Sequence, residues 1–229
     1  MTAQAVDENA ADRIAQDMLD VCVHGGVLPP PPDDLWDLFA RTHASIRENF
    51  RIPATSLSPV AARVLFGVAA CTQPARLAGL GTYVGNLFAY LAGPGFGPYR
   101  CYDGDLAIGI EIDEGAAAAA RQNFEAAGFT PGATFETRDA RNPIPAIKPW
   151  QLLLVDADDP HRRKAVYHDL LVAWQACLAP RGVVLAHDTR YPAFAEQVAP
   201  YLDLVRGPGF EISVPLPVDE YGLELSVVR

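Results

Sequence analysis

The residues best suited to chemistry lie in two short runs. Leu152-Leu153-Leu154-Val155 leads into Asp156-Ala157-Asp158-Asp159, and Val183-Val184-Leu185-Ala186 leads into His187-Asp188-Thr189. Carboxylates at the end of a buried apolar strand are costly unless a cation, an amine or hydrogen-bond donors meet them. If the two strands run parallel, both ends open on one crevice, where Asp156, Asp158 and Asp188 can converge. One reading is a divalent metal held by oxygen ligands from Asp156 and Asp188. The other has Asp156 and Asp158 meeting a ligand's ammonium group while Asp159 caps a helix at Pro160. His187, beside Asp188, is a candidate general base, because an imidazole there would titrate near neutral pH. His161 is a weaker candidate. The ordinary alternative for His187 is a strand-end residue bonded to backbone.

A second cluster begins at the first core strand. Leu77-Ala78-Gly79-Leu80-Gly81-Thr82-Tyr83-Val84-Gly85-Asn86 passes from an apolar run into a helical one. Glycines at such a turn let the backbone bend sharply and let a ligand approach the main chain. The third glycine falls at 85 rather than 84, which departs from the nicotinamide dinucleotide fingerprint and matches the glycine loop of proteins that bind a nucleoside sulfonium. The next strand ends Gly109-Ile110-Glu111-Ile112-Asp113. Glu111 is placed to accept from both hydroxyls of a ribose, whereas Asp113 suits the start of the following helix. After the third strand, Asp139 of Arg138-Asp139-Ala140 could accept from an exocyclic amine or simply sit in a turn.

These residues need a scaffold that gathers strand ends. Short apolar runs at Arg76–Leu80, Ala107–Ile112, Gln151–Val155 and Val183–Ala186 alternate with helical segments at Gly85–Leu91, Glu114–Ala127 and Pro160–Leu178. That alternation predicts βαβ units and a parallel sheet. Phe210–Leu216 and Leu223–Val228 break the rhythm and predict two antiparallel strands joined near Asp219 to Gly222. Three helices precede the sheet. Ile14, Met18, Leu19 and Cys22 mark the first; Leu35, Leu38, Phe39, His43, Ile46 and Phe50 mark the second; Ser58-Pro59 caps the third. Gly93 to Gly104 reads as a surface loop, and Arg162-Arg163-Lys164 as the solvated face of a helix. Trp36, Phe39 and Phe50 form a packing stripe or, less readily, an aromatic wall for a cation or an acceptor ring.

Length and composition agree with one globular α/β unit of 229 residues. A formal charge of −10 argues against nucleic acid as a partner. The opening residues carry Asp7, Glu8 and Asp12 rather than a secretory pattern, and no apolar run is long enough for a bilayer. Cys22, Cys71, Cys101 and Cys177 have no metal or redox spacing and read as reduced thiols. A cytoplasmic protein with no membrane partner is expected.

Taken together, the glycine loop, Gly109–Asp113, Val155-Asp156-Ala157-Asp158 and Leu178–Asp188 resemble the class I S-adenosylmethionine-dependent methyltransferases, in particular the catechol and caffeoyl-CoA O-methyltransferases. The resemblance covers about residue 58 to the end. It implies a Rossmann-like, doubly wound, mostly parallel seven-stranded sheet with an antiparallel C-terminal hairpin. The binding domain would be 58–229, with 1–57 a helical extension or lid over the crevice. Gly79, Gly81, Thr82, Tyr83 and Gly85 would carry the methionine part of the cofactor, and Glu111, with Ile112 beside it, the ribose. Asp139 and Ala140 would lie at the adenine, with Asp156 and Asp158 near the amino group and sulfonium.

Three positions depart from the family. Gly79 stands where an acid is common. Asp159 stands where metal-dependent members carry lysine, and Thr189 stands where they carry a metal-binding Asn. Dependence on magnesium is therefore expected to be weak or absent. Three functions follow. The first is methyl transfer to a hydroxyl of a small-molecule acceptor, with His187, Asp156 and Asp188 as catalytic groups. The second is cyclisation of the cofactor's own aminobutyrate chain with release of methylthioadenosine. The third is a non-catalytic binding role. The acceptor is left open, as is a homodimer.

Overall fold

The computed structural model describes residues 7–53, 57–144 and 149–229. The apolar runs form strands β1 (Arg76–Leu80), β2 (Leu106–Glu111), β3 (Ala133–Thr137), β4 (Trp150–Val155) and β5 (Leu178–His187), followed by β6 (Phe210–Leu216) and β7 (Leu223–Val228). They make one sheet in the order β3-β2-β1-β4-β5-β7-β6. The first five strands pair in parallel, and β7 runs antiparallel to both β5 and β6. The order reverses between β1 and β4, so a crevice opens beyond their carboxyl ends.

Helices cover both faces. Helices α1 (Glu8–His24), α2 (Leu35–Asn49), α3 (Pro59–Thr72), α4 (Asn86–Phe96) and α5 (Glu114–Ala126) share one apolar cluster with the sheet. Helices α6 (Val166–Trp174) and α7 (Ala195–Val205) build the other. Each of the large buried side chains there, Trp150, Tyr167 and Trp174 among them, contributes about 1.5–3 kcal/mol by leaving water. Local signals act as expected at two helix starts. Ser58 Oγ accepts from Ala61 N at 3.0 Å to open α3, and Asp113 Oδ1 accepts from Ala116 N at 2.7 Å to open α5.

Four local expectations are corrected. Residues 93–96 are not loop: α4 continues through Pro94 to Phe96, because Gly95 and Gly104 let the rings of Tyr102 and Phe96 pack against their backbone. Ile14 is 41% exposed, and the buried face of α1 is Ala11, Ala15, Leu19 and Cys22. The helix expected from Pro160 begins only at Val166, after a tight turn closed by paired backbone bonds between Asp159 and Arg163. Arg162-Arg163-Lys164 is accordingly not a solvated helix face, and Lys164 is 4% exposed.

Candidate functional site

The crevice holds two adjoining cavities of about 380 and 390 Å³, which share Gly81, Tyr83 and Asp156. Leu57, Thr82, Asn86, Leu87, Lys164, His187, Asp188 and Tyr221 complete the first. The second takes in Glu111, Ile112, Asp139, Ala140 and Asp158. The structure thus gathers the candidate residues of the strand ends and glycine loop except Gly79 and Gly85, and leaves His161 outside both cavities. A Cβ on Gly79 would meet Phe88 and Thr82 at 2.7 Å, inside the core. At Gly85, φ is +87° and a Cβ would meet Phe124 at 2.9 Å, so that glycine serves the turn and the packing against α5. Gly81 is the close approach: at φ +79°, its Cβ would lie 2.3 Å from Ala157 Cα, where the chain leaves the paired ends of β1 and β4.

Around the second cavity the acids are already engaged. Glu111 accepts from Tyr83 N at 2.7 Å, and from Ile112 N and Asp113 N at 2.8 and 3.0 Å, tying the glycine loop to the end of β2. Asp139 is clasped by Arg141, whose guanidinium and backbone N–H all donate to it and hold its carboxyl below the usual range. Asp158 pairs with Arg163 at 2.8 Å, while burial pushes its pKa up. Ile112 is 66% exposed at the cavity edge, an apolar surface for a flat ring.

The first cavity contains a group that motif reading passed over. Lys164 Nζ lies 3.2 Å from Asp156 Oδ1 and 2.7 Å from Asp188 Oδ2. Tyr167 Oη donates to Asp156 Oδ1 at 3.3 Å. Asp159 does not cap α6. Its Oδ1 accepts from His161 N and Arg162 N at 2.9 Å, turning the chain so that the residue after Arg163 re-enters the crevice. The only sequence sign was a proline and three cations directly after the acidic strand end. Burial works against the lysine's charge, but the carboxylates of Asp156 and Asp188 outweigh it and raise its pKa.

His187 is 7% exposed, with Nδ1 3.3 Å from Asp188 Oδ1 and 3.7 Å from Asp156 Oδ1. Its Nε2 is 3.9 Å from Asp219 Oδ2. Burial opposes the imidazolium, yet Asp156, Asp219 and Asp188 together raise its pKa to about 10. The acids around the ring thus favour its charged form and move its titration upward from the near-neutral range expected. Asp156 moves the opposite way. Burial raises its pKa, and the positive charges of Lys164 and His187 more than reverse this. Asp219 and Tyr221 were missed because the β6–β7 turn looks like ordinary turn chemistry. Asp219 Oδ1 indeed accepts from Tyr221 N and Gly222 N at 2.9 Å, and the same turn carries Asp219 to His187.

Asp156, His187 and Asp188 offer ligand atoms within 4.8 Å of one another, the only such metal-sized group among the described residues. Magnesium asks for oxygens at about 2.0–2.1 Å in near-octahedral array. The space between the two carboxylates holds the Lys164 ammonium, so the residues present do not fit that ion.

The expected packing stripe does pack. Phe39 stacks on His43 and Tyr90, and Phe50 lies against Phe124 and Phe129. None of the residues of α1 or α2 lines either cavity; of the described residues before 58, Leu57 does. All four cysteines are free thiols. No described helix is long and apolar enough to cross a membrane.

No protein-family model matches the chain, and no curated sequence does. Solved structures do. An O-methyltransferase from Bacillus cereus, in complex with S-adenosylhomocysteine, is 17% identical with a TM-score of 0.62, over 97% of this chain and 100% of that one. The O-methyltransferase TomG from Streptomyces achromogenes, involved in tomaymycin synthesis and bound to S-adenosylmethionine, is 18% identical at 0.63, over 92% and 96%. The S-adenosylhomocysteine-bound methyltransferase PaMTH1 of Podospora anserina is 18% identical at 0.62, over 100% and 99%. Such likeness establishes the fold, and this chain has the fold of the class I S-adenosylmethionine-dependent O-methyltransferases.

Proposed function

We propose that this protein transfers the methyl group of S-adenosylmethionine to a hydroxyl oxygen of a small molecule. The observation that carries this reading is the pair of cavities meeting at Gly81, Tyr83 and Asp156. The second would take the nucleoside, with Glu111 at the ribose, Ile112 against the base, and Asp139 and Ala140 at its edge. Asp156 and Asp158 would face the amino group and sulfonium. The first turn of α4, from Asn86 and Leu87, suits the carboxylate of the amino-acid portion. The acceptor would enter the first cavity from the side of Leu57 and Tyr221.

An oxygen lone pair of the acceptor attacks the methyl carbon, the carbon–sulfur bond breaks, and its electron pair stays on sulfur as S-adenosylhomocysteine. The hydroxyl proton must leave. In this reading Lys164 and His187 place positive charge beside that oxygen and favour its ionisation. The proton would leave to water in the cavity, since Lys164 and His187 hold the Asp156 carboxylate ionised and make it a poor acceptor. A protonated His187 stabilises the oxyanion, a role we prefer to that of general base. Cyclisation rested on the missing lysine base and the altered metal site; Lys164, eight residues downstream of Asp156, brings to the cavity a positive charge that could activate an acceptor oxygen without a metal. Transfer to an external oxygen is therefore the better reading.

The test is product analysis. Purified protein with S-adenosylmethionine and a panel of phenols and alcohols should form S-adenosylhomocysteine only when an acceptor is present. Methylthioadenosine released with no acceptor would overturn the proposal. Calorimetry should show S-adenosylhomocysteine binding, weakened about tenfold (about 1.4 kcal/mol) by Glu111→Gln. Unchanged affinity would remove Glu111 from the ribose.

A further inference from the structure

The turn between β4 and α6 is built to return one side chain to the strand ends. Asp159 N donates to Arg163 O at 3.3 Å and Arg163 N to Asp159 O at 2.8 Å, with Arg163 in the left-handed region at φ +50°. Arg163 is pinned outside by Asp158 at 2.8 Å, and Lys164 N donates to Gln197 Oε1 at 3.0 Å. Lys164 itself points the other way, past Tyr167 and Phe194, whose ring centroids lie 5.2 and 6.0 Å from Nζ. An amine led through an aromatic collar to two carboxylates is placed by the fold, not left there by a flexible surface stem.

We propose that the Lys164 ammonium is the resident cation of the Asp156–Asp188 pair and takes the place of a divalent metal. A lysine ammonium brings one positive charge and three N–H donors. With two directed at Asp156 and Asp188, the third remains for the cavity that Lys164 lines. A divalent ion needs those same carboxylate oxygens at shorter range, and it cannot share the gap with a charged amine. Asp156, His187 and Asp188 still offer ligand atoms to a metal, although Thr189 replaces the Asn of metal-dependent members, and the lysine occupies the gap between the two aspartates. The inference concerns occupancy of the cluster and holds whichever reaction the cavity supports.

The experiment is titration of the full-length protein with manganese, followed by the electron paramagnetic resonance signal of the free ion. The parent should bind no manganese at this cluster up to about 1 mM, whereas Lys164→Ala should bind one ion per chain at least about tenfold more tightly. Adding Asp188→Asn to Lys164→Ala should abolish that gain, and Lys164→Arg, which keeps a cation, should remain without metal. Circular dichroism checks that each variant is folded, and Lys164→Gln replaces Lys164→Ala if the latter is not. One manganese ion in the parent, lost on Asp188→Asn, would overturn the proposal. So would a folded Lys164→Ala and Lys164→Gln that both fail to gain the ion.

Discussion

Arg63 and Lys164 are both buried, at 3% and 4% exposure, and each meets two carboxylates. Arg63 ties α1 to α3 through Glu8 and Asp12, and also donates to Pro59 O at 2.9 Å. Its acids remain in water, with side chains 59% and 37% exposed, so they lose little hydration on pairing. The acids of Lys164 are 20% and 15% exposed and sit among His187, Tyr167 and Asp219. The guanidinium's fork is consumed by the protein itself, and the result is a clasp. The ammonium lines a cavity, and the result is a field available to a ligand. A buried cation between two acids is therefore not by itself a functional mark. Enclosure of the acids and an open side towards a cavity make the difference.

The widest separation between the two regions should come from Lys164→Met. Removing the ammonium leaves two enclosed carboxylates facing each other, and breaking a buried pair in this way costs about 3–5 kcal/mol. Product formation should also fall by about a hundredfold or more, since the charge beside the acceptor oxygen is gone. Denaturant titration and initial rates measure the two effects. A variant as stable and active as the parent would erase the contrast.

Arg63→Met should cost less, about 1–2 kcal/mol, because its acids stay hydrated when left alone. Its kcat/KM should stay within about threefold of the parent, as no residue of α1 or α3 lines either crevice cavity. A large loss of rate with modest loss of stability would mean that the clasp reaches the site after all.

The smallest effect should appear in acid. The Arg63 hydrogen bond, set against burial, holds the Glu8 carboxyl below its ordinary value of 4.5. A lowered carboxyl adds stability that is complete above the unfolded value and is lost as pH falls through the folded one. The stability difference between the parent and Arg63→Met should thus shrink as pH drops below 4.5. Midpoints of unfolding at about pH 6 and about pH 3 give the comparison. A difference that stays constant would show that Glu8 is not part of the clasp.

Much of this was legible in the chain. The strand ends at Leu80, Glu111, Val155 and His187 stood out because strands buried on both faces read as unbroken apolar runs, and polar residues then mark where the core stops. Asp113 and Ser58 announced their helices through local capping chemistry. The turn at 159–165 was not legible, because Asp-Pro before an apolar periodic stretch is also how a helix begins. The helix through Pro94 was hidden by Gly and Pro, whose local preferences gave way to burial of Phe96 and Tyr102. Gly79 and Gly85 were legible as glycines with a purpose, but the rings that demand them, Phe88 and Phe124, are brought there only by the packing of α4 and α5.

The sequence by itself determined the alternation of strands and helices, the acids at the strand ends and the sharp turn at Gly81, because each follows from local patterning and backbone sterics. Only the tertiary structure decided which charges meet. Nothing local distinguishes Lys164 from Arg162 or Arg163, yet one is enclosed between Asp156 and Asp188 and the others pair outside with Asp169 and Asp158. Likewise Asp219, more than thirty residues beyond His187, reaches it only through the antiparallel return of β7 along β5. Electrostatic energies depend on distance in space and on exclusion of water, and both are set by the packing of whole elements.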